Sequence, residues 1–396
     1  MRILMMAPQP FFEERGTPIA VRLAAEALAA QGHEVDLLSF HLGQDLVMPG
    51  VRHHRISAPP GVRHVPIGFS VNKLICDLWL FFAAGKLMLR HRYDVLHAVE
   101  EAVFLAWPLS TMGRSKLVYD ADSILSEQIA DKWPRARLLS NFMLWCERAA
   151  FRRCDLTIAV CRSIRDAART VALPERVHLL PDVALESQDM GDAIEDLRAM
   201  AGGRKLALYI GNLERYQGVS LLFEALALVV PDKRPMLVVI GGNAQAVAEH
   251  GLLARELGVE QDVRLLGVRP LKDLGHYLGQ ADILCSPRIQ GRNTPMKIFS
   301  YMASGRSILA TQIESHMQVL DQQSACLALP TAQSLAEGLN RLGDDPQLRA
   351  DLGKVAAHKA RTEYSHAAFV ERLRGAYATL QANIAPAPGP LLEPHI

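Results

Sequence analysis

The residues best suited to chemistry stand in one stretch, Ser286 to Gly305. The apolar run Ile283-Leu284-Cys285 ends at Ser286-Pro287 and reads as a buried strand. A polar loop, Arg288 to Asn293, follows it. Thr294-Pro295 then reads as a helix start, with a hydroxyl at the cap and proline at the first helical position. Gly305 stops that helix, and Ser307 to Ala310 reads as the next strand. In an open parallel sheet, such a strand–loop–helix–strand unit holds ligands at the carboxyl end of the strand, where free helix N–H groups face an anion. Lys297 in the first turn and Arg292 in the loop would add charge for a phosphate. The same spacing also fits an ordinary α/β unit with a well-capped helix.

The elements that must position this stretch run in the same rhythm along the chain. Arg2 to Ala7, Glu34 to Phe40, Tyr93 to Ala98, Lys116 to Tyr119, Asp155 to Cys161 and Val177 to Val183 read as strands of a first half. A helix from Thr17-Pro18 to Ala30 follows the loop Gln9 to Gly16, and another spans Arg162 to Thr170. In the second half, Lys205 to Ile210, Met236 to Gly242, Asp262 to Val268 and Ala281 to Leu284 read as strands, with helices at Ser220–Val230 and Leu271–Leu278. The polar stretch from Glu186 to Arg204 is the expected linker. Leu335–Leu342, Pro346–Thr362 and His366–Leu380 read as late helices. This alternation predicts an α/β chain of two doubly wound parallel sheets. Its 396 residues suffice for two full cores.

The wording of Gly291-Arg292-Asn293-Thr294-Pro295-Met296-Lys297-Ile298-Phe299-Ser300-Tyr301-Met302-Ala303-Ser304-Gly305 resembles the donor-site segment of retaining glycosyltransferases of the GT-B fold, family 4. It is most similar to a branch carrying "GTNTPxKIxSYxASG". The resemblance covers residues 1 to about 380. It implies two Rossmann-like domains, 1–185 on the acceptor side and 186–371 on the donor side, facing a cleft. It also implies a C-terminal helix, 372–384, that crosses back. Residues 385–396, with four prolines, read as a disordered tail. The implied activity moves a sugar from a nucleotide-diphosphate donor to a saccharide or lipid-linked acceptor, as in polysaccharide or exopolysaccharide assembly.

The resemblance assigns expected roles. Gly16 and Thr17 would lie near the donor diphosphate. Gly211, Asn212, Gln217 and Gly241 would line the donor, together with Arg288, Asn293, Thr294, Pro295, Lys297 and Ser300. The commoner family pattern has arginine and lysine at the places of Asn212 and Gln217, and two glutamates at the places of Arg292 and Ser300. Arg215, Arg288, Arg292 and Lys297 are therefore replacement candidates for the phosphate clamp, with Lys297 foremost. Ser300 would offer the ribose one hydrogen bond where a carboxylate offers a stronger one.

On the acceptor side, His97 ends a strand similar to the family's "DVIHxH". Tyr119-Asp120-Ala121-Asp122-Ser123-Ile124-Leu125-Ser126-Glu127-Gln128 is similar to "YDxHSSLxEQ", with Asp122 in place of the histidine. Asp122 is the expected catalytic partner of Lys297, as a general base, and Glu127 an acceptor-side residue. Asp-x-Asp after a strand is also how GT-A enzymes hold a metal. The surrounding words favour the GT-B alignment, so no metal or other cofactor is expected. A helix-capping aspartate is the third reading.

Net charge is +1, with 49% apolar and 21% charged residues. That balance excludes neither lipid nor nucleic acid, but no nucleic-acid module accompanies the charge. Between residues 50 and 92, Arg52, Arg55, Arg63, Lys73, Lys86, Arg90 and Arg92 face one acid, Asp77, beside the apolar run Val71 to Leu89. Lys73, Asp77 and Lys86 interrupt that run before the roughly 18 uncharged residues of a membrane span. A core-packed helix and a peripheral membrane contact are the two readings. A second basic cluster gathers Lys132, Arg135, Arg137, Arg148, Arg152 and Arg153, against Asp131 and Glu147. The six cysteines lack paired or metal-type spacing, so reduced thiols and a cytoplasmic location are expected, and the membrane reading of the basic clusters would put the chain at the inner face of the cytoplasmic membrane. Two rival functions stay open: a non-catalytic GT-B protein that binds sugar or lipid, and a phosphorylase or epimerase on the same fold.

Overall fold

The computed structural model describes residues 1–13, 16–66, 70–126, 137–184 and 195–382. It contains two compact units, Met1–Pro181 with the chain from Phe369, and Asp182–Ala368. The first holds a seven-stranded sheet in the order β3-β2-β1-β4-β5-β6-β7. Its strands are β1 (Arg2–Ala7), β2 (Glu34–Ser39), β3 (Val51–Arg55), β4 (Val95–Val99), β5 (Lys116–Ala121), β6 (Leu156–Ala159) and β7 (Val177–Leu179). All pairings are parallel, with Ile3 opposite both Val35 and Val95. Ile3 to Ala7 are fully buried, because helices cover a parallel sheet on both faces. One helical layer comprises α2 (Val71–Arg90), α3 (Ala102–Gly113) and α4 (Arg137–Arg153), which share a core with Leu96, Ala98, Leu117 and Tyr119. Helix α1 (Gly16–Ala30) packs on β2 and β3.

β3 is an edge strand of sequence Val-Arg-His-His-Arg, which no apolar alternation announces. It is held by charge. Asp36, buried on β2, accepts hydrogen bonds from Arg52 Nε (2.9 Å) and Nη2 (3.0 Å), His54 Nε2 (2.7 Å) and Tyr93 Oη (3.0 Å). Arg55 binds the Phe11 and Gln44 carbonyls and pairs with Asp45 at 3.1 Å. Lys73 pairs with Glu101. The one-sided charge of residues 50–92 is therefore partly balanced by acids distant in sequence. Arg52, Arg55 and Lys73 are engaged within the unit, while Arg63, Lys86, Arg90 and Arg92 remain exposed. Among the described residues, no helix is long and apolar enough to cross a membrane. All six cysteines are free thiols, five of them buried.

The second unit holds a six-stranded parallel sheet in the order β10-β9-β8-β11-β12-β13. The strands are β8 (Leu206–Ile210), β9 (Met236–Ile240), β10 (Val263–Gly267), β11 (Ile283–Ser286), β12 (Ser307–Thr311) and β13 (Cys326–Ala328). The strand order reverses on either side of β8, which makes the β8–β11 edge the switch point; in the first unit it is β1–β4.

The last helix, His366–Ala382, joins the first unit from Phe369 onward. Tyr377 Oη lies 2.7 Å from His97 Nδ1, and the rings stack at 6.2 Å. His97 Nε2 lies 3.1 Å from Asp120 Oδ2. A carboxylate only accepts, so Nε2 carries the proton and Nδ1 accepts from the tyrosine. The expected tail, 385–396, falls outside the described residues.

Candidate active site

In the second unit, three loops meet at the carboxyl ends of β8, β9 and β11. The helix after β11 spans Met296–Ala303, with Pro295 at the cap and no side-chain cap. The expected capping role of Thr294 is not observed. Its hydroxyl instead donates to the Ser315 carbonyl at 3.1 Å, so Thr294 ties the helix start to the loop after β12. Lys297 projects from the first turn. Its Nζ is 3.1 Å from Gln217 Oε1 and 4.0 Å from the centroid of the Tyr209 ring. Burial, with Arg288 nearby, pulls its pKa well below the ordinary lysine value. The side chain keeps partial exposure.

Two glycines make this packing possible. A Cβ at Gly211 would lie 2.6 Å from Lys297 Nζ. Gly218 has φ 70°, and a Cβ there would lie 2.1 Å from the Pro287 carbonyl oxygen. Gly218→Ala is therefore expected to cost about 1–3 kcal/mol from the left-handed backbone, with the collision added. It should lower the thermal midpoint and weaken nucleotide binding together. Unchanged binding in a folded variant would show that this turn does not shape the site.

Arg288 is buried and braces its own loop. Nε donates to the Gln290 carbonyl (2.6 Å), Nη1 to the Asn293 carbonyl (3.2 Å) and Nη2 to Asn293 Oδ1 (3.2 Å). Its guanidinium lies 5.3 Å from the Tyr216 ring centroid. Asn212 is exposed, with its carbonyl accepting from Tyr209 Oη at 2.6 Å. Gly241 ends β9 beside the Gly211 carbonyl. Ser300 is buried on the inner face of its helix. Arg215 is exposed, and Arg292 lies 4.0 Å from Glu314.

Sequence reasoning missed His316. It is fully buried, with Nε2 2.9 Å from Ser286 Oγ and Nδ1 2.8 Å from the Thr311 carbonyl. Burial pushes its pKa to about 4, so it is neutral near pH 7 and locks the exits of β11 and β12 together. Ser286 ends β11 and His316 lies on the short helix Glu314–Met317, 30 positions on, so no spacing pattern announces this. Tyr209 and Tyr216 were likewise passed over as strand and turn residues.

In the first unit, Gly16 and Thr17 open α1 after β1, and His97 lies on the adjacent β4, buried between Asp120 and Tyr377. Asp122 is half-buried in the turn after β5. Ser123 Oγ donates to Glu100 at 3.3 Å, and burial raises the Glu100 pKa. Asp120 faces His97, and among the described residues no group of three or more His, Cys, Asp or Glu could hold a metal ion. Glu127 lies outside the described residues.

Two doubly wound parallel sheets with chemistry gathered at their switch points make up the two domains of the GT-B fold. Residues 194–359 match the model for glycosyl transferases group 1, and residues 15–182 match that for glycosyltransferase family 4. The chain belongs to this glycosyltransferase family. It is similar to the D-inositol 3-phosphate glycosyltransferase of Corynebacterium aurimucosum, 31% identical over 183 residues, which are 44% of this chain and 43% of that one. Its counterpart in Corynebacterium glutamicum is 25% identical over 394 residues, 93% of this chain and 92% of that one. Among solved structures, Anabaena HepE in complex with UDP superposes with a TM-score of 0.76 at 18% identity, covering 96% of this chain and all of that one.

Proposed function

We propose that the chain is a retaining glycosyltransferase of the "GTNTPxKIxSYxASG" branch, moving a sugar from a nucleotide-diphosphate donor to a lipid-linked or polysaccharide acceptor. The observation that carries this is Lys297, held against Gln217 and Tyr209 at a helix N-terminus on the switch point of the second sheet. A diphosphate there would meet the first free N–H groups of Met296–Ala303 and the ammonium of Lys297. Gly211, Asn212, Gln217, Gly241 and Asn293 form the loops around it, and Ser300 supports the helix from within.

In the reaction, the bond from the anomeric carbon to the diphosphate oxygen breaks and the acceptor oxygen bonds to the same carbon. The diphosphate leaves with the electron pair, and Lys297 offsets its charge. The acceptor proton passes to a base, for which Asp122 is the proposed group. His97 and Asp120 fix the strand ends beside it, and Gly16 and Thr17 belong to the proposed donor contacts. Arg288 acts indirectly, by shaping the loop.

A thermal-shift screen with UDP, GDP, ADP and their sugar conjugates, with and without divalent metal, tests the donor assignment. UDP, which the Anabaena relative binds, comes first. A ligand at about 100 times its Kd adds roughly 2.7 kcal/mol of apparent stability. A metal-independent shift with one nucleotide, absent in Lys297→Ala, is expected. A shift that survives the substitution would move the donor elsewhere. Transfer assays with a lipid-linked sugar against D-inositol 3-phosphate, the substrate in the names of the two relatives, test the acceptor.

A further inference from the structure

Among the described residues, nothing packs on the outer face of the helical layer α2–α3–α4. Leu78 and Phe82 on α2, Met112 on α3, and Leu138, Phe142 and Trp145 on α4 are exposed, with Phe82 63%, Phe142 58% and Trp145 64% accessible. On α4 the three recur at i, i+4 and i+7, one stripe of a helix. The rings of Phe142 and Trp145 stack at 6.1 Å. These side chains point away from the core that Cys76, Leu80, Ala106, Ala150 and Phe151 fill beneath them. An exposed apolar area of this kind marks a contact surface.

The charges on the same helices identify the contact. Their acids, Asp77 and Glu147, are buried, and Glu147 accepts backbone hydrogen bonds from Leu125 and Ser126. Their exposed ionisable groups are all cations: Lys86 and Arg90 on α2, and Arg148 and Arg152 on α4. The three helices each feed the next parallel strand, so their C-terminal ends share one rim, where Arg90, Arg114 and Arg152 are exposed. Of the acids near that rim, Asp155 pairs with Lys116 and Asp94 accepts from the Arg2 backbone N–H, so the cations are in excess. An apolar field bounded by an excess of cations among the described residues matches an anionic bilayer surface, which takes the aromatic side chains into its interface and the guanidinium groups onto its headgroups. A second copy of this chain would present the same cations to them and be repelled.

We infer that the α2–α3–α4 face docks on an anionic lipid surface, with Phe142 and Trp145 inserted and Arg148 and Arg152 on the headgroups. This is independent of which sugar or acceptor the enzyme uses. The test is cosedimentation of the full chain with vesicles of phosphatidylcholine, with and without about one-third phosphatidylglycerol. Binding is expected only with the anionic lipid. At about 1 kcal/mol per cation near the surface, Arg148→Glu/Arg152→Glu should weaken it by more than about 25-fold. Phe142→Ser/Trp145→Ser should abolish the blue shift of tryptophan fluorescence that vesicles induce, while circular dichroism and nucleotide-induced thermal shifts stay unchanged. Equal binding to neutral and anionic vesicles, no binding to either, or lipid-independent self-association lost in Phe142→Ser/Trp145→Ser would each overturn the assignment.

Discussion

Alanine at Lys297 is expected to lower kcat for glycosyl transfer by about 10²–10³-fold, the usual cost of removing one preorganised donor from a site where anionic charge develops. The ammonium sits where Gly211 leaves room for it, against the Tyr209 ring. Arginine should not restore the rate, because a planar guanidinium does not fit a slot built around one nitrogen. A second readout comes from the proton. Burial and the nearby Arg288 hold the lysine pKa well below its ordinary value in the free protein. An arriving diphosphate favours the charged form and raises that pKa again. At a pH between the two values, donor binding therefore takes up a proton. Calorimetry in buffers of different ionisation enthalpy should register the uptake in the wild type and not in Lys297→Ala. Full activity in Lys297→Ala would sink the donor-site assignment.

Asp36→Ala is expected to destabilise the first unit by about 3–5 kcal/mol, since it removes the buried carboxylate of a paired cluster and takes the acceptor from the buried Tyr93 hydroxyl. Arg52, His54 and Tyr93 all converge on that one carboxylate. The thermal midpoint should fall by about 10 °C, and β3 should lose protection from hydrogen exchange first. The sign of the pH dependence follows from the same bonds. Burial alone would raise the Asp36 pKa, but the hydrogen bonds from Arg52, His54 and Tyr93 outweigh it and hold the value well below the ordinary one of 3.8. A depressed carboxylate contributes stability above its unfolded pKa, and that contribution is lost as the pH falls below about 4. The wild type should thus lose stability steeply in acid, and Asp36→Ala much less. Parallel acid profiles for the two proteins would show that Asp36 is not the group responsible.

The alternation of apolar runs and helix starts was enough to read every strand of the two sheets except β3 and the three-residue β13, because strands buried on both faces are continuous apolar runs. Met236 to Ile240 and Ile283 to Ser286 are examples. β3 escaped because its stability comes from Asp36, a residue on another strand. The pairing of Arg52, Arg55 and Lys73 escaped for the same reason, since charge compensation between separate elements has no sequence spacing. Lys297 was legible from helix position and family wording together. The role of Thr294 was misread, since a hydroxyl before Pro295 is a capping signal locally and only the loop from Thr311 to Ser315 gives it another partner. The apolar stripe Leu138-Phe142-Trp145 was visible at i, i+4 and i+7, but the arginines around it drew attention to charge alone. His316 needed the fold.

The bond between Tyr377 and His97 joins side chains 280 positions apart. During synthesis the ribosome delivers all of the first sheet long before the helix that seals it. The second unit, by contrast, is one unbroken segment, Asp182–Ala368, and can complete itself as soon as it emerges. The order of maturation is therefore inverted: the part made first finishes last, and until residue 377 arrives His97 lacks its tyrosine partner. Contacts of such long separation also form slowly. A nascent chain stalled after the second unit would leave the last helix off the first unit, and an open state of that kind is one that a chaperone holds.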